Sequence, residues 1–136
     1  MASVFDVAKY FLERLGPLCS LKLQKLCYYS QAYHLAWTDK EIFPEEFEAW
    51  KYGPVCLKLR TLPKNDDAEI ETVEGDLGFN DTELATLEKV LKNYGNRTPM
   101  WLSELSHSEK PWKNVYEPMK NNLIEKQVMK AYYKQF

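Results

Sequence analysis

A chain of 136 residues can build one hydrophobic core and leaves little room for two, so we predict a single domain over residues 1–136. The net charge of −2, without a concentrated Lys/Arg run, argues against a surface that follows nucleic-acid phosphates. Three cysteines without paired spacing do not suit a disulfide framework, and no segment approaches the roughly 18 apolar residues of a membrane span. We therefore expect a cytoplasmic protein without a signal peptide.

The N-terminal part of the chain predicts two helices. A capping box over residues 3–6 begins the first helix, and Gly16-Pro17 ends it. Ser20 then caps a second helix that runs to about Thr38. Apolar residues cover nearly its whole circumference, which is typical of a helix buried at the centre of a domain.

The middle of the chain predicts a small β element. Large apolar residues alternate along Phe47–Tyr52, which suits a short strand broken by Gly53-Pro54. Residues 55–62 follow as a short helix. Residues 70–75 predict a second short strand, which we expect to pair with the first.

Capping signals predict helices in the remainder. A capping box over 80–83 begins a helix that ends at Gly95, and Thr98-Pro99 begins the next. A short segment begins at Ser108, and Asn122–Glu125 caps a last helix. The predicted fold class is mainly α: a compact helical domain around the buried central helix, with a small two- or three-stranded β element.

Charge is distributed unevenly along the chain. Residues 64–83 contain eight acids and one base, and residues 110–136 contain six lysines and two acids. These segments are either solvated faces or, for the acidic one, a surface that steers a basic partner.

Candidate catalytic residues are few. Cys27 and His34 share a face of the central helix but lie roughly 10 Å apart along its axis, too far for a direct hydrogen bond. Cys56 follows a turn near a helix N-terminus, where the helix dipole can lower a thiol pKa. Buried core side chains explain these residues more simply, and the three Cys and two His offer no close ligand pair. We expect no catalytic residues, no cofactor, no metal and no enzyme activity.

Polar residues on the central helix and aromatic residues in the following turn are the more informative features. Gln24 and Lys25 interrupt an apolar helix, so they either find partners inside the fold or mark a face that is open for binding. Trp50 and Tyr52 crowd one tight turn, either as core packing or as interface anchors.

Two motifs carry a family resemblance. LQKLCYYSQAYHLA at 23–36, followed by FEAWKYGPV at 47–55, resembles the Panacea domain, the family of SocA-like antitoxins and phage-associated GepA proteins. Residues 6–11 and 105–112 are similar to further segments of that family. The residues that carry the motif are Leu23, Gln24, Leu26, Tyr28, Ala49, Gly53, Pro54, Val55 and Trp112.

The resemblance implies an antitoxin of a phage-defence-type toxin–antitoxin system, which neutralises its toxin by direct protein–protein binding. The expected partner is a cognate toxin encoded by the adjacent gene. The candidate partner-binding residues are Lys25, Tyr29, Trp50, Lys51 and Tyr52, together with nearby acids.

Two alternatives stay open at this point. One is a proteolytic adaptor that delivers the toxin to an ATP-dependent protease. The other is a DNA-binding autorepressor, an activity that in this family goes with an additional N-terminal segment. Because the chain starts at the first helix of the domain and lacks a basic run, we do not expect nucleic acid among its partners. Without a long apolar segment, we do not expect a membrane either. The resemblance names neither the toxin nor an oligomeric state.

Overall fold

A capping box begins the first helix, α1 (Val4–Leu15), as predicted. In the computed structural model, which describes residues 1–136, the Ser3 hydroxyl accepts a hydrogen bond from the backbone N–H of Asp6. The Asp6 carboxylate accepts one in return from the N–H of Ser3. Gly16 ends α1 with a φ of +81°, a backbone conformation that favours glycine.

The second helix, α2 (Ser20–Thr38), has no exposed face over most of its length. Every residue from Leu23 to Ala36 is buried. The residues before it form strand β1 (Leu18–Cys19). The predicted cap at Ser20 is wrong, because Ser20 is the first helical residue and Cys19 occupies the capping position without a side-chain hydrogen bond.

The three-stranded sheet differs from the predicted β element. The remaining strands are β2 (Phe47–Trp50), β3 (Gly53–Val55), β4 (Glu69–Ile70) and β5 (Asn122–Ile124). The sheet has the order β3-β2-β5, and all its pairings are antiparallel. Gly53-Pro54 therefore does not break a strand but belongs to β3, because the positive φ of Gly53, +118°, lets the chain turn back on itself.

Two other predictions for the middle of the chain need correction. The segment 55–62 forms a 3₁₀-helix only over Leu57–Thr61. The strand predicted at 70–75 is limited to β4, and it pairs with β1 rather than with β2. Residues 71, 72, 74 and 75 are exposed, so no apolar face holds this segment against the sheet.

The C-terminal part contains α3 (Asp81–Tyr94), α4 (Pro99–Ser108), α5 (Lys110–Lys113) and α6 (Lys126–Tyr133). The predicted caps of α3 and α4 are confirmed, since the side chains of Asn80 and Thr98 accept backbone N–H groups of the first turn. The predicted cap at Asn122 is wrong, because this residue lies in β5 and α6 begins after Glu125. Six helices with two small antiparallel sheets make the fold mainly α.

The core surrounds α2. Helices α1, α3, α4 and α6 and strand β3 all pack against it. The buried aromatic rings of Tyr28, Tyr29 and Tyr133 meet edge to face at 5.3–6.0 Å between centroids. The β2–β3 hairpin packs against the N-terminal half of α2, where Gln24 and Lys25 bind the backbone of Cys56 and Pro54.

Candidate protein-binding surface

The β2–β3 hairpin presents aromatic and cationic side chains to solvent. Tyr52 is 54% exposed, Trp50 is half-buried and Lys51 is exposed. The Lys51 Nζ lies 5.4 Å from the centre of the Tyr52 ring, and the guanidinium carbon of Arg60 lies 4.6 Å from that of Trp50. We call Trp50, Lys51, Tyr52, Leu57 and Arg60 the hairpin surface. Its charged members are cations that form no ion pair within the chain.

Helix α2 holds the hairpin from one side. The Gln24 amide donates to the carbonyl of Cys56 (3.0 Å) and accepts from its N–H (2.8 Å). This pair of bonds gives both the nitrogen and the oxygen of a buried amide a backbone partner, so Gln24 has an internal role. The Lys25 Nζ donates to the carbonyl of Pro54 at 3.2 Å.

Helices α4 and α5 hold the hairpin from the other side. The Ser103 hydroxyl donates to the carbonyl of Tyr52 at 2.7 Å, and the Trp112 indole N–H donates to the carbonyl of Trp50 at 2.7 Å. The Trp112 ring also stacks between His107 and Tyr116, at 4.2 and 4.6 Å. The turn is thus fixed at both carbonyls that flank Lys51.

Gly53 allows this close packing. A Cβ atom at this position would collide with the Lys25 side chain and the Ser106 hydroxyl. The glycine therefore serves both the turn and the approach of the hairpin to α2. This contact explains the motif residue Gly53. The neighbouring motif residue Pro54 contributes the carbonyl that accepts from Lys25, and Val55 pairs with Glu48 across the hairpin.

Lys25 lies beneath the hairpin and has no exposed surface. Burial lowers the pKa of its ammonium group to about 7, because the protein interior disfavours the charged form. The prediction that Lys25 belongs to the exposed partner-binding surface is therefore wrong. Gly53 and Pro54 cover its side chain.

Tyr29 is also fully buried, so its predicted place on the surface is wrong. Its hydroxyl donates to the carboxylate of Glu109 at 2.6 Å, and the Tyr133 hydroxyl donates to the same oxygen at 2.8 Å. Burial raises the pKa of Glu109, and these two hydrogen bonds oppose that shift. The Tyr29 ring stacks on Tyr94 at 4.8 Å. Tyr29 is thus a member of a core network and not a contact residue.

The other motif residues belong to the core. Leu23, Leu26 and Ala49 are buried, and Tyr28 shares a hydrogen bond of 3.1 Å with the Tyr133 hydroxyl. The motif therefore has two parts: residues that build the core around α2, and residues that fix the hairpin against it.

Two clefts flank the hairpin turn. The first, of about 320 Å³, lies between the N-terminal half of α2 and the hairpin, and Lys51, Tyr52 and Arg60 line it. The second, of about 470 Å³, lies between Lys51 and the exposed residue Met119. None of the predicted nearby acids lines either cleft. Glu48 lies beside the hairpin surface, where its carboxylate accepts a hydrogen bond from the Trp50 indole N–H at 2.9 Å.

A second aromatic surface was not predicted from the sequence. It consists of Trp37, Tyr94, Trp101 and Phe136, and we call it the α2 C-terminal surface. Tyr33 stacks on Trp37 at 5.0 Å, and cations lie over two of its rings: Lys89 over Trp37 and Arg97 over Trp101. Trp37 is 41% and Phe136 62% exposed. In the sequence, only the high content of aromatic residues indicates that such a surface could exist.

The candidate thiol nucleophiles are deep in the fold. Cys27 and Cys56 are buried, and burial raises the pKa of both thiols. The His34 ring bonds to the Thr86 hydroxyl at 2.9 Å rather than to Cys27. No three His, Cys, Asp or Glu side chains converge in a way that could hold a metal ion. No helix combines the length and the apolar character that crossing a membrane requires.

The structure thus places an anchored aromatic hairpin over a buried helix. Comparison with family models identifies the family of the chain. The model described as "Antitoxin SocA-like, Panacea domain" matches residues 23–113, which include the buried part of α2, the hairpin, α4 and α5. The match covers more than half of the chain, so this chain belongs to the SocA-like Panacea-domain family of antitoxins. Neither the curated proteins nor the solved structures contain a match to the chain.

Proposed function

We propose that this chain is an antitoxin that neutralises a cognate toxin by direct protein–protein binding through the hairpin surface. The observation that carries the proposal is a set of exposed aromatic and cationic side chains on a turn that is anchored from two sides. Tyr, Trp and Arg are the residues that most often dominate binding energy at protein interfaces. Family membership supports the antitoxin role, and the hairpin surface is the region that we propose contacts the toxin.

Anchoring matters for affinity. A binding loop that must be ordered on association loses part of its interaction energy to conformational entropy. Here the carbonyls of Trp50 and Tyr52 are bound by α5 and α4, and Gln24 fixes the following backbone at Cys56. The hairpin surface therefore meets a partner in a conformation that is already set.

A stable interface takes about 800 Å² from each partner, roughly a tenth of the 7463 Å² of accessible surface on this chain. We place the hairpin surface and its two flanking clefts at the centre of such an interface. Since no cysteine lines either cleft, we propose that inhibition comes from occlusion rather than from catalysis.

Co-expression with the product of the adjacent gene tests the proposal. We expect that product to stop growth alone and to be harmless with the wild-type chain. Tyr52→Ala should weaken the complex by ten-fold or more and restore toxicity. Phe136→Ala, which removes an equally exposed aromatic ring elsewhere, is the matched control and should still protect. A neighbour that is harmless alone, or full protection by Tyr52→Ala together with Trp50→Ala, would refute the proposal.

One observation favours a second candidate, the proteolytic adaptor. An adaptor needs two binding surfaces, and the hairpin and the α2 C-terminal surface lie toward opposite ends of α2. Leu21 and Trp37 are sixteen residues apart on this helix, which corresponds to about 24 Å. If the chain is an adaptor, toxin levels should fall in wild-type cells but not in protease-deficient cells, and Trp37→Ala should abolish the fall. Equal toxin levels in both strains would exclude it.

A further inference from the structure

We infer that the cleft between α2 and the hairpin receives an acidic side chain, Asp or Glu, of the protein partner, which docks above Lys25 and between Lys51 and Arg60. This inference rests on the proposed function and adds the chemistry of the group that the hairpin surface recognises.

Lys25 is a buried cation without a counter-ion. It has no exposed surface, and its Nζ makes a single hydrogen bond, to the carbonyl of Pro54 at 3.2 Å. Because Gly53 and Pro54 cover it, the ammonium group acts on an anion in the cleft through its charge and not by direct contact. No carboxylate of the chain forms an ion pair with it. A desolvated charge of this kind gains more from an added anion than an exposed lysine does.

The surroundings of the cleft are positive. Lys51 and Arg60 line it and are themselves free of ion pairs. No acid lines the cleft, and the carboxylate of Glu48, the acid of the hairpin, accepts a hydrogen bond from the Trp50 indole N–H. Arg60 already lies over the Trp50 ring, which orients its guanidinium without using its N–H donors on a carboxylate. Three cations thus converge on one cleft that carries no compensating charge of its own.

The first turn of α2 adds to this potential. Ser20 and Leu21 line the same cleft, and the turn has neither a side-chain cap nor an acidic residue. The positive end of the helix dipole is therefore not offset by a side chain of the chain itself. Lys25 lies on the same helix just beneath this end. The helix end and the buried ammonium favour an anion at the same place.

The walls of the cleft are apolar enough to strengthen the interaction. Leu21, Trp50, Tyr52 and Val55 border it. A carboxylate that enters is partly removed from water, where its attraction to Lys25 and Arg60 is less screened. The volume of about 320 Å³ has ample room for one acidic side chain.

Binding should take up a proton at neutral pH. Because burial lowers the pKa of Lys25 to about 7, part of the population is neutral there, and a bound carboxylate favours the ammonium form. The titratable groups that act on Lys25 are Cys19 and His107, while Lys51 and Arg60 line the same cleft, and none of the four is a carboxylate. Affinity for the acidic group should therefore fall as the pH rises from 6.5 to 8.5.

The first test uses the chain alone with a peptide probe. Hexaglutamate is titrated into the isotope-labelled chain, with hexaglutamine as the control. We expect hexaglutamate to shift the amide resonances of Tyr52 and Gly53 saturably, at millimolar concentration and more strongly at pH 6.5 than at 8.5, and hexaglutamine to leave them unchanged. Lys25→Met, which keeps an unbranched side chain without the charge, should weaken the response several-fold and remove its pH dependence. Arg60→Gln, at an exposed position, should weaken it several-fold without affecting folding. No response of the wild-type chain overturns the inference.

The second test uses the product of the adjacent gene. Each exposed acid of that protein is changed to Ala and combined with Lys25→Met in a double-mutant cycle. We expect one acid whose loss weakens binding ten-fold or more to the wild-type chain and adds nothing to Lys25→Met. Tight binding without such a coupled acid overturns the inference and leaves the proposed function intact. A specific response to hexaglutamate without any binding of the gene product contradicts the proposed function and supports the carboxylate site.

Discussion

Lys25 connects folding to pH at the scale of a single residue. Its pKa is about 7 in the folded chain, against an ordinary value of 10.5. Between these values the unfolded chain binds more protons than the folded one, so this residue makes the free energy of unfolding rise with pH, by about 1.4 kcal/mol per unit. Below pH 7 both states are charged, and its unfavourable contribution is constant and largest.

Lys25→Met should therefore stabilise the chain most at low pH. We expect the free energy of unfolding of the variant, minus that of the wild type, to decrease by about 2 kcal/mol from pH 7 to pH 9. Urea unfolding at both pH values measures it, and the titration of all other groups cancels in the difference. A difference that does not change with pH would show that Lys25 keeps an ordinary pKa in the fold.

Gly53 is the second residue whose surroundings dictate its identity. Gly53→Ala should destabilise the chain by about 3 kcal/mol or more, because the new methyl group combines a positive φ with a collision against Lys25 and Ser106. Gly16→Ala is the matched control, since Gly16 also has a positive φ but nothing within 4 Å of its Cβ position. Equal thermal destabilisation of the two variants would contradict the close packing of the hairpin on α2.

The cysteines predict a specific labelling pattern. Cys27 and Cys56 are buried with raised thiol pKa values, whereas Cys19 is partly exposed. Iodoacetamide should modify Cys19 alone in the native chain and all three cysteines in denaturant, as read by mass spectrometry. Cys19→Ser should leave no native label. Fast modification of Cys56 in the native chain would contradict its burial and support the hypothesis of a thiol-based activity.

At the scale of elements, the hairpin is stabilised by bonds from helices that are distant in sequence. Trp112→Phe removes the indole N–H that binds the Trp50 carbonyl, while keeping a stacked ring. We expect amide exchange in residues 50–55 to become several-fold faster, while exchange in the buried part of α2 stays unchanged. Leu123→Ala, a substitution of an exposed residue on the neighbouring strand β5, is the control. Unchanged exchange in residues 50–55 would mean that α5 does not fix the turn.

Local signals explain which elements the sequence predicts well. The caps at Ser3, Asn80 and Thr98 depend on residues three positions away, so a short window contains all the necessary information. Strand pairing is not local. The alternation in 47–52 identifies β2, but nothing in it names Asn122–Ile124 as the partner.

The misassigned surface residues have the same cause. Tyrosine is a common residue type at protein interfaces. In this chain, however, the Tyr29 hydroxyl bonds inside the core to Glu109, which lies eighty positions further along the chain. Lys25 is covered by Gly53 and Pro54, and the position of a lysine on a helix does not show that a later segment will cover it. The tight turn predicted near Gly53-Pro54 is present, but Lys51 and Tyr52 form it and β2 ends at Trp50, so the strand predicted over 47–52 runs two residues too far. The role of Trp50, Lys51 and Tyr52 in binding stays a prediction.

At the scale of the whole molecule, charge separates two regions. The acids of residues 66–76 form no ion pair, whereas lysines of α6 bind acids near the C-terminal end of α2, such as Lys130 on Asp39 at 2.9 Å. The hairpin surface is positive and the segment 66–76 is negative. A partner that binds the hairpin should therefore present acids there, and association should slow as salt is added.

The most direct test of the central claim is hydrogen–deuterium exchange of the chain with and without the product of the adjacent gene. We expect the bound partner to protect amides in residues 50–61 and in the first turn of α2, and to leave the acidic segment 66–76 unchanged. Tight binding with protection confined to other parts of the chain, and none in the hairpin, would contradict the account.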